Sequence, residues 1–298
     1  MKQDYRKNTK AAPPEPLPAG FIFRVRGDTA LIIRKEYEAS RPLSGTLTGA
    51  PKPAKEGWEA LPGGRGSAVS VSLPGIGKVV LRHYRRGGLL GRILFDRYLS
   101  GSRPFRELGV LARARTLGVP VPEVLGASST RVDLFWHRGR IVTRLIPDSQ
   151  TLPLFIEEKR YDAPRVKEVL RKTGEAIREM HDAGIDHADL NMNNILVDSG
   201  QNVFIIDFDK ARASQRLSRA GRAVNLRRLL RSLRKLRAAG SPLDDSDFSM
   251  IIEGYAGNDG ALAGTVRNKT LESRSLMLRS AVSRIVRRLF AGPQDRRN

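Results

Sequence analysis

The chain has no cysteine and only four histidines among its 298 residues. A disulfide scaffold and a thiolate metal centre are therefore excluded, and the composition fits a reducing compartment. Aromatic residues make up 6% of the sequence. There is also no RNP-like run and no zinc spacing of the kind that marks base-reading modules, so no nucleic-acid partner is expected. Nowhere does an uncharged apolar run approach the roughly 18 residues that a membrane-spanning helix needs. Met1-Lys2-Gln3-Asp4-Tyr5 leads into polar, proline-rich sequence without an apolar h-region, so no signal peptide is expected. Acidic residues are also scarce, with 31 Asp and Glu against 53 Lys and Arg, a formal net charge of +22. Such an excess favours polyanions, whether nucleic acid, an anionic bilayer or an acidic substrate, and charge alone does not choose among them.

The patterning divides the chain into three stretches. Residues 1–20, with Ala12-Pro13-Pro14-Glu15-Pro16-Leu17-Pro18, read as a flexible lead. Residues 21–147 read as a β-rich lobe containing one long helix. Phe21-Ile22-Phe23 and Ala30-Leu31-Ile32-Ile33 are short strands. Ala68 to Leu73 alternates apolar and polar residues, and after the turn Pro74-Gly75-Ile76-Gly77 it pairs with Lys78 to Tyr84 as a hairpin. The spacing predicts a helix over 105–117 that stops at Gly118, with Pro120 and Pro122 blocking continuation. A further β region is expected over about 131–145. Residues 148–298 read as a helical lobe, the clearest helix running from Ala163 to Ala183 and closing at Gly184. Within that lobe, Ile195-Leu196-Val197 and Val203-Phe204-Ile205-Ile206 flank the turn Asp198-Ser199-Gly200-Gln201. The class is α+β in two lobes.

Chemistry concentrates around that small hairpin. His187-Ala188-Asp189-Leu190-Asn191-Met192-Asn193-Asn194 carries the H-x-D-x-x-x-x-N spacing of a kinase catalytic loop, and Asp207-Phe208-Asp209 follows the second strand. Phosphoryl transfer needs a base for the acceptor hydroxyl, oxygen ligands for a metal ion on the phosphates, a cation and a backbone loop over them. Asp189 is the candidate base, Asn194 and Asp207 the candidate Mg²⁺ ligands, and His187 the loop organiser. Asp and Asn also serve as ordinary caps and turn residues. The two motifs together, joined by a hairpin, favour chemistry.

For ATP, the turn Gly63-Gly64-Arg65-Gly66-Ser67 precedes a strand and offers backbone amides, with Gly64, Arg65 and Gly66 as candidate contacts, although a full G-x-G-x-x-G is absent. The cation belongs on the next strand, where Arg82 stands in the place usual for lysine. Lys78 shares its parity, so either residue serves the reading. Glu107 on the following helix is the candidate partner of that cation. The run Arg82-His83-Tyr84-Arg85-Arg86-Gly87-Gly88, continued by Arg92 and Arg97, is either a solvated face or a grip for an anionic acceptor. On the second reading His83, Arg85, Arg86 and Arg97 would touch the substrate.

Between Lys210 and Gly240 there is no acidic residue and there are eleven lysines or arginines. Leu226, Leu229, Leu230, Leu233 and Leu236 recur there at helical spacing. This basic amphipathic helix is open to three readings: an ordinary core-facing helix, a surface for an anionic bilayer at about 1 kcal/mol per nearby cation, or an RNA contact. Leu276 to Phe290 repeats the pattern more weakly.

A set of blocks resembles the 3-deoxy-D-manno-octulosonic acid (Kdo) kinases of the lipopolysaccharide kinase family, which also includes heptose kinases. They are Leu81-Arg82-His83-Tyr84-Arg85-Arg86-Gly87-Gly88-Leu89, Asp96-Arg97-Tyr98-Leu99, Phe105-Arg106-Glu107, Val119-Pro120-Val121-Pro122, His187-Ala188-Asp189-Leu190-Asn191 and Ile206-Asp207-Phe208-Asp209. The likeness spans about residues 60 to 240. It implies a bilobal protein-kinase-like fold using ATP and Mg²⁺ to phosphorylate the 4-OH of Kdo on a lipid A precursor. It also implies peripheral attachment to the anionic cytoplasmic face of an inner membrane. Asp209 replaces the glycine of D-F-G and Ala188 the arginine of H-R-D. The missing arginine removes the usual partner of an activation-loop phosphate, so no such switch is expected. Aminoglycoside-type phosphotransferases and atypical protein kinases share the loop, and an inactive kinase-like binding module is the reading from another class. A polycationic drug would be repelled by a surface of this charge.

Overall fold

The computed structural model describes residues 16–49, 58–61, 68–84, 101–133, 136–159 and 162–257. Seven strands form one antiparallel sheet: β1 (Phe21–Arg26), β2 (Thr29–Arg34), β3 (Trp58–Ala60), β4 (Ala68–Leu73), β5 (Gly77–His83), β6 (Val124–Arg131) and β7 (His137–Arg144). Their order across the sheet is β1-β2-β6-β7-β5-β4-β3. The two halves of the sheet therefore meet at β7, whose Val142 pairs with Leu81 of β5 and Gly126 of β6. The sheet carries a helix on each face. Leu31 and Ile33 of β2 pack with Leu43 and Leu47 of α1 (Arg41–Thr48), together with Val79 and Leu81 of β5. Ala30 and Ile32 point the other way, into a core that includes Phe105, Leu108 and Leu111 of α2 (Arg103–Thr116). Strand alternation at period two thus serves two cores at once. On β5 it sends Arg82 to the α2 side and His83 to the α1 side.

The 68–84 hairpin and the strands at 21–34 follow the alternation seen in the sequence, and α2 starts two residues before the expected Phe105. The expected β region at 131–145 is in fact two strands, the first beginning at Val124. Helix α1 was not foreseen because Gly45, Thr46 and Thr48 are poor helix formers. It forms because Ser40 Oγ accepts the Leu43 amide, Pro42 opens the first turn, and Leu43 and Leu47 bury one turn apart.

The remaining described residues are mainly helical. Helices α3 (Leu152–Lys159), α4 (Ala163–Asp182), α5 (Arg219–Ala238) and α6 (Asp245–Ala256) surround a three-stranded sheet ordered β11-β10-β8, built from β8 (Gln150–Thr151), β10 (Ile195–Val197) and β11 (Val203–Ile205). A two-stranded ribbon pairs β9 (Ile185–Asp186) with β12 (Arg212–Ala213). Helices α4 and α6 touch through glycine: a Cβ on Gly174 would lie 2.0 Å from the Ile251 carbonyl, and one on Gly254 2.0 Å from that of Arg171. An Asp244–Asp247 capping box starts α6, a pairing that helical periodicity does not reveal.

The same contact buries His181, whose Nδ1 lies 2.9 Å from the Tyr255 hydroxyl. Burial, reinforced by Arg222 and His187, pushes its pKa down to about 3. The folded value lies below the unfolded one, so the stability held by neutral His181 is present above pH 6.5 and drains away as pH falls toward 3. The slope is roughly 1.4 kcal/mol per pH unit. Between pH 6 and 4 the unfolding free energy of His181→Gln should fall less steeply than that of the wild type, by about one proton's worth. Urea titrations at several pH values measure this, and equal slopes would exclude a neutral buried His181.

Candidate active site

The segment 187–194 connects β9 to β10 and is tied down from three sides. Asp186 Oδ1 accepts the Ala188 amide at 3.0 Å and the Asn225 side-chain amide at 2.8 Å. Ser232 Oγ accepts the Met192 amide at 3.2 Å, so α5 holds the loop at two places. His187 is fully buried. Its Nε2 donates to the Ile206 carbonyl at 2.9 Å, and its ring centroid lies 4.8 Å from that of Phe208. Burial lowers its pKa, so the neutral tautomer with the proton on Nε2 satisfies this bond. His187 thereby joins the loop to the D-F-D segment.

Asp189 projects its carboxylate outward while its carbonyl accepts from Asn191 Nδ2 at 2.9 Å and Asn194 Nδ2 at 3.1 Å. Both amides are therefore turned so that the loop is braced from inside. The Asn194 carbonyl accepts the Ile206 amide at 2.9 Å, which brings Asn194 alongside the residue preceding Asp207. Ala188 and Asp207 are two of the four described non-glycine residues with positive φ, at 59° and 65°. Backbone held in this sparsely populated region clusters at sites where geometry serves function.

From the sheet, Arg82 reaches across to this assembly. Its Nη2 bonds Glu107 and its Nη1 lies 2.5 Å from Asp207 Oδ1. Glu107 is 3% exposed and also accepts from the Tyr84 hydroxyl. Burial pushes the Glu107 pKa up to about 7, against the pull of Arg82 and the Tyr84 bond. Burial is the largest influence on Arg82 and works against its charge, but Glu107, Tyr84, Asp207 and Asp209 together outweigh it and hold the guanidinium above its ordinary pKa. The Tyr84 ring lies under two guanidinium groups, Arg82 at 5.1 Å and Arg103 at 5.3 Å from its centroid. Arg103, at the start of α2, grips Asp209 bidentately, its Nε 2.6 Å from Oδ1. The aspartate that replaces the D-F-G glycine thus binds the D-F-D segment to the helix that carries Glu107.

Of the remaining candidates, Lys78 is exposed at the far end of β5. His83 accepts from Arg140 Nε at 3.3 Å on the α1 side of the sheet, away from Arg82. Gly64, Arg65, Gly66, Arg85, Arg86 and Arg97 lie outside the described residues, as does the 276–290 stretch. The apolar side of α5 (Leu226, Leu229, Leu230 and Leu233) is buried in the core, while Arg231, Lys235 and Arg237 are exposed. Any bilayer contact through α5 would therefore rest on charge and not on insertion.

Residues 55–255 match the family model described as lipopolysaccharide kinase (Kdo/WaaP) family. The chain belongs to that family. It is a kinase with the bilobal protein-kinase-like fold. A 3-deoxy-D-manno-octulosonic acid kinase of Vibrio vulnificus (strain YJ016) is 37% identical over 200 residues, covering 64% of this chain and 80% of the relative. One from Stenotrophomonas maltophilia (strain K279a) is 37% identical over 203 residues, covering 65% and 76%. A solved structure, WaaP in complex with acyl carrier protein, superposes with a TM-score of 0.51 at 16% identity over 81% of this chain and 98% of that one, a likeness of fold alone.

Sequence reasoning missed several residues of the candidate centre: Tyr84, Arg103, Asp186, Asn225, Ser232 and Lys210, whose Nζ lies 2.9 Å from Asp189 Oδ2. Asn225 left one trace. It stands beside Leu226 on a stripe of leucines, and a polar residue fully buried in such a stripe needs a partner. Tyr84 lies inside the Arg-rich block, and no spacing there marks its hydroxyl as a partner of Glu107.

Proposed function

We propose that this kinase transfers the γ-phosphoryl group of ATP to the 4-OH of Kdo on a lipid A precursor, at the cytoplasmic face of an inner membrane. The observation that carries the reading is the convergence of Arg82, Glu107 and Asp207 from three separate elements, beside a loop that presents Asp189. Asp189 would orient the acceptor hydroxyl and accept its proton. Arg82 would hold Asp207 in place and lend charge to the nucleotide phosphates, and Gly64, Arg65 and Gly66 stay candidates to contact them. Asp207 and Asn194 suit Mg²⁺, being hard oxygen donors. Bound there, the cation would take these one or two protein ligands and complete its shell with phosphates. Once bound, Mg²⁺ would neutralise charge developing on the β- and γ-oxygens.

The acceptor assignment draws on the names of the relatives and on charge. A phosphorylated, carboxylate-bearing lipid at an anionic surface suits a chain of net charge +22. Arg85, Arg86 and Arg97 remain candidates to grip it. Among the described residues no helix is long and apolar enough to cross a membrane, so attachment would be peripheral, aided by the exposed cations of α5.

Purified protein with Mg²⁺, labelled ATP and a Kdo-containing lipid A precursor should yield labelled lipid with phosphate on the Kdo 4-OH. Transfer to an acceptor lacking Kdo, or to protein, with none to this lipid would overturn the assignment.

A further inference from the structure

We infer that Lys210 is a catalytic residue whose ammonium group contacts the γ-phosphoryl oxygens during transfer, an inference that rests on the role of Asp189 proposed above. From Asp186 to Asp198 the catalytic loop contains no lysine or arginine. Asn191, two residues past Asp189, spends its side chain on the Asp189 carbonyl and on the Asn193 amide. Arg82 is engaged by Glu107 and Asp207. A further cation does reach the loop: Lys210 Nζ lies 2.9 Å from Asp189 Oδ2.

The placement of Lys210 is built into the fold. On one side Phe208 is fully buried against His187, and its carbonyl accepts the Ala211 amide at 2.9 Å. On the other side Arg212 pairs with Asp186 in the ribbon directly before His187. The chain from Asp207 to Ala213 therefore passes around the catalytic loop and sets Lys210 over Asp189. These anchors hold the segment without help from the lysine. Its side chain is 62% exposed and that of Asp189 is 52% exposed, and an ion pair so open to water contributes little to stability. A long cation kept beside a reactive carboxylate, and not needed for folding, is suited to meeting charge that appears during the reaction.

In the transfer, the acceptor oxygen forms its bond to the γ-phosphorus while the bond to the β–γ bridging oxygen breaks. ADP departs with that electron pair, and the hydroxyl proton passes to the Asp189 carboxylate. Before that proton moves, the Asp189 carboxylate and the equatorial oxygens both carry negative charge, and bringing the acceptor oxygen to bonding distance of phosphorus presses them together. The Lys210 ammonium between them offsets that repulsion, which is greatest as the two approach in the transition state.

The test uses the full chain with Mg²⁺, ATP and the Kdo-lipid acceptor. Lys210→Met should lower kcat by about 10- to 100-fold, leave KM for ATP and acceptor within about twofold, and leave the thermal midpoint unchanged. Lys210→Arg should recover most of the loss. Binding of ADP with aluminium fluoride, which imitates the transferring phosphoryl group, should weaken in Lys210→Met while binding of ADP alone does not. Wild-type kcat in Lys210→Met, or a change confined to the acceptor KM, would overturn the inference. Asp189→Asn measured alongside separates the two claims. If it stays active, the reading of Asp189 fails; if it is inactive while Lys210→Met is normal, only the role of Lys210 fails.

Discussion

Asp189→Asn should leave the protein folded and ATP-competent while lowering kcat by about 10²- to 10⁴-fold, the range supplied by a positioned proton acceptor. The substitution is nearly isosteric. The bonds that shape the loop run through the Asp189 backbone: its amide donates to the His187 carbonyl at 2.8 Å, and its carbonyl accepts from Asn191 and Asn194. An asparagine oxygen can still accept from Lys210, so the main loss is the capacity to take the hydroxyl proton. Single-turnover transfer with labelled ATP, beside equilibrium binding of an ATP analogue, separates chemistry from affinity. A kcat within threefold of wild type would show that the acceptor proton leaves by another route.

The parts of this site that were legible in the sequence are those in which position along the chain already implies position in space. Asp189 and Asn194 share one loop, and Asp207 follows the strand that pairs directly back on it, so local spacing was enough. The long-range partners were legible only as roles. Arg82 meets Glu107 across 25 residues and Asp207 across 125, and the choice between Arg82 and Lys78 needed the sheet, where only Arg82 stands at the α2 end of β5. Asp209 could be seen only as a departure from D-F-G. Its use becomes plain once Arg103, which no motif marks, arrives from the first turn of α2. The leucine periodicity of α5 was clear, but periodicity alone does not say whether an apolar face meets a core or a bilayer. Burial of Leu226, Leu229, Leu230 and Leu233 answers that for the core. The sharp drop in acidic residues between 210 and 240 then has a local meaning, because Arg231, Lys235 and Arg237 stay exposed while Asn225 and Ser232 turn inward to support the 187–194 loop.

Arg82→Met should cost both activity and stability, and the two losses should respond to different rescues. Removing one partner of a buried ion pair typically costs about 3–5 kcal/mol, because the other charge is left uncompensated. Glu107 can escape part of this by binding a proton. With Arg82 present its pKa is already raised to about 7 by burial, and without Arg82 it rises further. A carboxyl whose folded pKa exceeds its unfolded value contributes most below the unfolded pKa and loses stability as pH rises. Keeping Glu107 neutral at pH 7 costs about 3 kcal/mol relative to an ordinary glutamate. The destabilisation of Arg82→Met should therefore shrink as pH is lowered toward about 7 and level off below it, where Glu107 binds a proton in both proteins. Adding Glu107→Gln should remove most of this pH dependence and restore stability, since the amide is neutral and still accepts from Tyr84. Transfer should not return: kcat/KM for ATP should remain at least about 100-fold below wild type, because no guanidinium then fixes Asp207 or faces the phosphates. Arg82→Lys should fall between, as a single ammonium cannot reproduce the fork that meets Glu107 and Asp207 at once. Urea midpoints across pH give the first half of this test and steady-state kinetics the second. A double variant that regained transfer along with stability would remove Arg82 from phosphate handling and leave it a purely structural partner of Glu107.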